Sequence, residues 1–177
     1  MDKLVIVING KGGVGKDTLC EIVGEYYKTI NVSAITPIKK IAYEYGWQGE
    51  KDNKSRRFLS ELKRVFADYN DLPNQYLLKE YRNFLISDKQ IMFVHIREKD
   101  QIEKFVYAVE NNCITLLITR NISLDNKYGN YSDDYVDEYK YDYYFDNNLA
   151  LEQIEDEFLK FFKSIIAEKN LNIYPFA

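Results

Sequence analysis

Cysteine, histidine and proline are scarce in this chain, and long apolar runs are missing. The two cysteines, Cys20 and Cys113, have no spacing that suggests a disulfide framework or a metal site. A reducing, cytoplasmic location is therefore the expectation. No apolar run approaches the roughly 20 residues needed to span a bilayer. The short run at residues 4–8 is followed by no small-residue cleavage pattern, so neither a membrane anchor nor a signal peptide is expected. Positive charge is also short: 24 Lys and Arg against 28 Asp and Glu leave a formal net charge of -4. That balance argues against a broad nucleic-acid surface, which needs clustered cations to neutralise phosphates. It leaves room for a local basic patch facing a small phosphorylated ligand.

What is present fits one globular domain spanning residues 1–177, with 46% hydrophobic and 29% charged residues. Residues 3–9 form an apolar, β-branched run, the pattern of a strand buried on both faces of a parallel sheet. After a glycine-rich turn, Leu19, Ile22, Val23, Tyr26 and Ile30 fall at helical spacing. A second strand fits residues 32–35, and Pro37 suits the first turn of the next helix. Leu59, Leu62, Phe66 and Tyr69 mark an amphipathic helix over 52–72. A further helix begins near Pro73 and carries Leu77, Tyr81 and Phe84. Strands are predicted over 91–95 and 114–118, separated by a helix with Ile102, Phe105, Val106 and Val109. Residues 121–140 are polar and long for a connection, which points to a lid. A fifth strand over 141–145 precedes a closing helix with Leu151, Ile154, Phe158, Phe161 and Ile165 on its buried face. Alternating strands and helices imply an α/β fold with a parallel sheet and helices on both faces.

Between the first strand and the first helix stands Gly10-Lys11-Gly12-Gly13-Val14-Gly15-Lys16-Asp17-Thr18, with the spacing of a Walker A phosphate loop. Glycines let several backbone N–H groups converge on one anion, and the helix N-terminus adds partial positive charge. Lys16 is expected to reach the β- and γ-phosphates of ATP. Where the pattern has Ser or Thr as a Mg²⁺ ligand, this chain has Asp17. A carboxylate is a good oxygen ligand for Mg²⁺; it is equally an acid favoured by the dipole of a first helical turn. Thr18 is left to contact a phosphate.

Two resemblances follow. The loop alone is similar to the deviant Walker loop of ParA- and MinD-type switch ATPases, which would place Lys11 across a dimer. The stretch Val32-Ser33-Ala34-Ile35-Thr36 lacks the acid those proteins carry. Over most of the chain the sequence resembles the P-loop nucleoside monophosphate kinases, in particular the phage-type deoxynucleoside monophosphate kinases and their phosphomevalonate-kinase relatives. The matching segments are Gly15-Lys16-Asp17-Thr18, Ile35-Thr36-Pro37-Ile38-Lys39, Gly46-Trp47, Lys51-Asp52, Arg56-Arg57-Phe58-Leu59, His95-Ile96-Arg97-Glu98, Ile102-Glu103, Ser132-Asp133 and residues 142–147. Thr36 stands where that family has aspartate.

This resemblance implies a three-layer P-loop fold with a five-stranded parallel sheet, an acceptor-binding helical region at about 37–88 and a lid at about 121–140. It also implies ATP and Mg²⁺ as cofactors and small nucleotides as partners, with no nucleic acid and no membrane. The basic residues read bottom-up agree, because phosphoryl transfer needs positioning and cations around the moving group. Arg97, just past the third strand, and Arg120, at the end of the fourth, join Lys16 as catalytic candidates. Lys39 and Arg56 are candidates for holding the acceptor, while Arg57 reads as a surface cation. Asp17 is the metal candidate, with Glu98 a second one through water. His95 reads as a partly buried strand-end residue, Asp133 and Asp134 as solvated charges, and the tyrosines of 141–144 as packing. A catalytically inactive nucleotide-binding regulator is the other reading. A GTPase is disfavoured, because Asn126-Lys127 is followed by Tyr128-Gly129 rather than by a guanine-reading aspartate.

Overall fold

In a computed structural model, which describes residues 2–109, 112–121 and 136–176, strand β1 (Leu4–Asn9) is buried at every position. Such a strand needs cover on both faces, and the sheet supplies it. Five parallel strands run in the order β2-β3-β1-β4-β5, with β2 at Thr29–Ser33, β3 at Ile91–His95, β4 at Cys113–Thr119 and β5 at Tyr143–Asp146. Val7 is in register with Val94 on one side and with Thr115 on the other.

Side-chain alternation along β1 divides the core in two. Leu4, Ile6 and Ile8 pack with Leu19 and Val23 of α1 (Lys16–Tyr26) and with Phe158 and Phe162 of the closing helix α6 (Leu151–Glu168). Val5 and Val7 point the other way, toward Leu77 and Phe84 of α4 (Leu72–Ile86) and Ile102 and Phe105 of α5 (Lys99–Ala108). Full burial of each such side chain is worth about 1.5–3 kcal/mol. A smaller cluster, built on Ile38 and Ala42 of α2 (Thr36–Glu44) and Leu59 of α3 (Asn53–Asn70), holds the helical region between β2 and β3 together.

Local chemistry sets the boundaries. Pro37 lies in the first turn of α2. Asp52 caps α3 by accepting from the Ser55 amide at 2.7 Å, a contact worth about 1 kcal/mol. Asp71, in the left-handed region with φ 56°, ends α3 and opens α4. The Lys3 ammonium donates to the carbonyls of Phe84, Ser87 and Lys89 at 2.7–2.9 Å and so closes the end of α4.

The five-stranded α/β architecture agrees with the sequence reading, while several details differ. Ile30 belongs to β2, because Tyr27 is already extended and ends α1, and the pairing Thr29↔Ile91 draws the following residues into the sheet. Strand β2 therefore starts three residues before the expected 32. Tyr69 is 81% exposed and takes no part in the face made by Leu59, Leu62 and Phe66. Phe162 joins Phe158 in the core, and Phe161 is only half-buried. Strand β5 begins at Tyr143 because Asp142 is engaged sideways: its carboxylate accepts from the Thr115 amide and hydroxyl at 2.8 and 2.9 Å. Most of the lid stretch, with Ser132, Asp133, Asp134 and the segment from Asn126 to Gly129, lies outside the described residues, as does the side chain of Leu151. No helix among the described residues is long and apolar enough to cross a membrane.

Candidate phosphate-binding site

The strands being parallel, their C-terminal ends share one edge, and β1 lies between β3 and β4, where the chain order reverses. Open α/β sheets bind ligands at such a crevice. The glycine-rich loop emerges there. Gly10 has φ 149°, and a Cβ on it would collide with the Ile118 carbonyl oxygen of β4. Gly15 has φ 90°, and its Cβ would strike the Asn147 carboxamide. Both positions thus require glycine for conformation and for space. Val14 is buried as the loop's apolar anchor, and its carbonyl accepts from Asn147 Nδ2 at 2.7 Å. The Asn147 amide in turn donates to Thr119 O at 2.8 Å, so β4 and β5 brace the loop from beneath.

Gly15 caps α1 with no side-chain hydrogen bond to the helix. The N-terminus of α1 thus opens on the crevice without a side-chain cap, and the helix dipole there favours an anion. The Lys16 ammonium folds over the loop, donating to Gly10 O at 2.6 Å and Lys11 O at 2.9 Å. This combination of positive-φ glycines, a helix N-terminus and an overhanging lysine fits a polyphosphate. Asp17 is exposed in the first turn of α1, with Thr18 beside it. Among the described residues no group of three or more His, Cys, Asp or Glu could hold a metal. Mg²⁺ fits such a site when phosphates supply most of its ligands and Asp17 adds one, since the ion keeps waters and uses few carboxylates.

At the end of β3, burial pushes the His95 imidazole below its ordinary value. Asp17 opposes that shift, and Lys16 and Arg97 add to it. His95 is accordingly neutral at neutral pH, and Nε2 lies 3.4 Å from Asn31 Oδ1. Lys16, Asp17 and Arg97 are thus each near enough to His95 to act on it electrostatically. Lys11 forms an ion pair at 3.5 Å with Asp137, in a short 3-10 turn at Val136–Glu138. Arg120 is exposed just past β4. Lys39 is exposed on α2, and Arg56 is half-buried in the first turn of α3. Arg57 pairs with Glu61 at 2.8 Å on the surface, as a solvated cation does.

Four residues of this region were given no site role by the sequence. Lys63 of α3, with 11% of its side chain exposed, reaches Glu98 at 2.5 Å, so the carboxylate considered for metal is engaged by a lysine. Asn147 braces the loop. Asn9 and Tyr141 are hydrogen-bonded to each other at 2.7 Å across the sheet edge, and Tyr141 is thus more than packing. The available signal was Asn9 itself, a polar residue closing a strand that is otherwise apolar and buried.

No family model matches the chain, and no curated protein matches it. Among solved structures it is similar to the tunicamycin resistance protein of Deinococcus radiodurans, at 8% identity over 99% of each chain with a TM-score of 0.45.

Proposed function

We propose that this protein is an ATP-dependent phosphotransferase acting on a small phosphorylated acceptor, a ribo- or deoxynucleoside monophosphate. The observation that carries the reading is the glycine-rich loop at the C-terminal edge of the sheet, with Gly10 and Gly15 at positive φ and the Lys16 ammonium folded over it. ATP supplies the phosphoryl group and Mg²⁺ neutralises part of its charge. Lys16 and the loop amides hold the phosphates of the donor. Arg97 and Arg120 supply cationic charge to the transferring group, the kind of preorganised electrostatics that is usually the largest catalytic term. Lys39 and Arg56, from the helical region between β2 and β3, hold the acceptor. His95 is spared a role as base, because an acceptor phosphate is already a nucleophile.

The sequence counts against the switch-ATPase alternative, because Val32-Ser33-Ala34-Ile35-Thr36 lacks the acid that those proteins carry. The test is ADP release from ATP and Mg²⁺ across a panel of ribo- and deoxynucleoside monophosphates and phosphomevalonate, with Lys16→Ala as control. At least one acceptor is expected to raise ADP release well above the Lys16→Ala background. If none does, the transferase reading fails.

A further inference from the structure

The last residue of β1 contacts three segments that meet at the phosphate site. Asn9 is 1% exposed, and its carboxamide accepts from the Gly10 amide at 2.8 Å. Its Nδ2 donates to the Tyr141 hydroxyl at 2.7 Å and to the Arg97 carbonyl at 3.1 Å. The partners fix the orientation of the amide: Gly10 N can only donate and Arg97 O can only accept. The Tyr141 hydroxyl in turn donates to Val136 O at 3.0 Å, next to the Asp137 that pairs with Lys11. Burial raises the Tyr141 hydroxyl to about 12, so it remains a donor throughout the ordinary pH range.

We propose that Asn9 is a positioning residue of the phosphate site: its carboxamide, with Tyr141, locks the start of the loop, the Arg97-bearing turn and the chain at Val136 into one fixed arrangement. The inference rests on the reading that residues 10–18 hold the phosphates of a nucleotide. Both Nδ2 hydrogens and the Oδ1 acceptor are used, and the Tyr141 hydroxyl both donates and accepts. Such a closed network in a buried setting is rigid, and each broken member leaves a polar group unpaired. Preorganisation of this kind lowers the cost of ordering the site when ligand binds. No isosteric residue reproduces it. Leucine offers no polar atom, and an aspartate carboxylate keeps the acceptor for Gly10 and loses the donors to Arg97 and Tyr141.

The experiment compares the full chain with Asn9→Asp and Tyr141→Phe, using Mg-ADP as the probe in calorimetry well below the melting temperature. Hydrogen exchange is followed in parallel at Gly10 and residues 96–98. ADP affinity is expected to fall about tenfold in Asn9→Asp and about threefold in Tyr141→Phe, as expected for hydrogen bonds of ordinary net strength. Exchange at Gly10 and at 96–98 should accelerate together while that of β1 and β4 stays slow. A purely structural role would lower the melting temperature and leave the ADP affinity of the folded protein within about twofold of the parent. That result, or unchanged exchange at 96–98, overturns the proposal. If Asn9→Asp does not fold, Tyr141→Phe decides by the same criteria. Neither readout needs an acceptor or turnover, so a failed acceptor panel would sink the transferase reading and leave this inference standing.

Discussion

The side chain of Asn147, at the end of β5, donates to the carbonyl of Val14 at 2.7 Å, while the α-carbon of Gly15 lies too close to that carboxamide to carry a Cβ. One buried amide thus sets the height of the phosphate loop above the sheet. The loop is held by its flanking strands as well as by its own glycines.

Substitution at this contact should therefore be felt as binding. Asn147→Ala leaves Val14 O without its donor, which costs about 1–3 kcal/mol of stability and weakens Mg-ADP binding. Gly15→Ala, strained by its φ of 90° as well as by the clash, should weaken binding further. Thermal melts and calorimetry on both variants check this. Nucleotide affinity unchanged in Gly15→Ala would contradict the role given to the loop.

The Lys63–Glu98 pair links α3 to the turn after β3 and is only partly screened, with side-chain exposures of 11% and 35%. Lys63→Met leaves Glu98 without its partner and should destabilise the fold by about 1–2 kcal/mol, less than a fully buried pair because Glu98 meets solvent. Adding Glu98→Gln should return part of that loss. Denaturant unfolding of the two single variants and the double gives the coupling directly. Strict additivity would show that the pair does not act as one.

His95 sets a pH dependence. Its folded value is lowered, mainly by burial, so the unfolded state binds the proton more readily. Stability from this group is present above its ordinary value of about 6.5 and is lost as pH falls toward the folded value. Melting temperature should decline between roughly pH 7 and 5, and His95→Gln should flatten that decline. The lowered carboxylates Asp2, Asp52 and Asp88 titrate below their ordinary value of 3.8 and act at more acid pH. An unchanged slope in His95→Gln would remove His95 as the cause.

Much of this was legible in the sequence, for identifiable reasons. A strand buried on both faces is apolar throughout, so β1, β3 and the core of β4 could be read from composition. The loop could be read because glycine and lysine spacing is a direct consequence of wrapping backbone around an anion. Ile30 misled because it lies four residues after Tyr26, a spacing equally compatible with a helix, and only pairing with β3 decides otherwise. Asn9 and Tyr141 are 132 residues apart in the chain, and Lys63 and Glu98 are 35 apart. Nothing local links either pair. Such contacts follow from the order of strands in the sheet and the packing of α3, which one sequence does not specify.

Arg97 carries the sharpest distinction between binding and turnover. Its place past β3, with Lys16 acting on the same histidine, predicts that Arg97→Ala lowers kcat by roughly a hundredfold and ATP affinity far less. Steady-state kinetics beside direct binding separates the two. Equal losses would remove Arg97 from charge stabilisation in the transition state.

The most direct test of the account follows the terminal phosphoryl group itself. Labelled in the γ-phosphate of ATP and incubated with Mg²⁺ and a nucleoside monophosphate panel, the label should appear in an organic diphosphate, at a rate set by the acceptor and abolished by Lys16→Ala. Label released only as orthophosphate, at a rate indifferent to every acceptor, would contradict the assignment of this protein as a phosphotransferase.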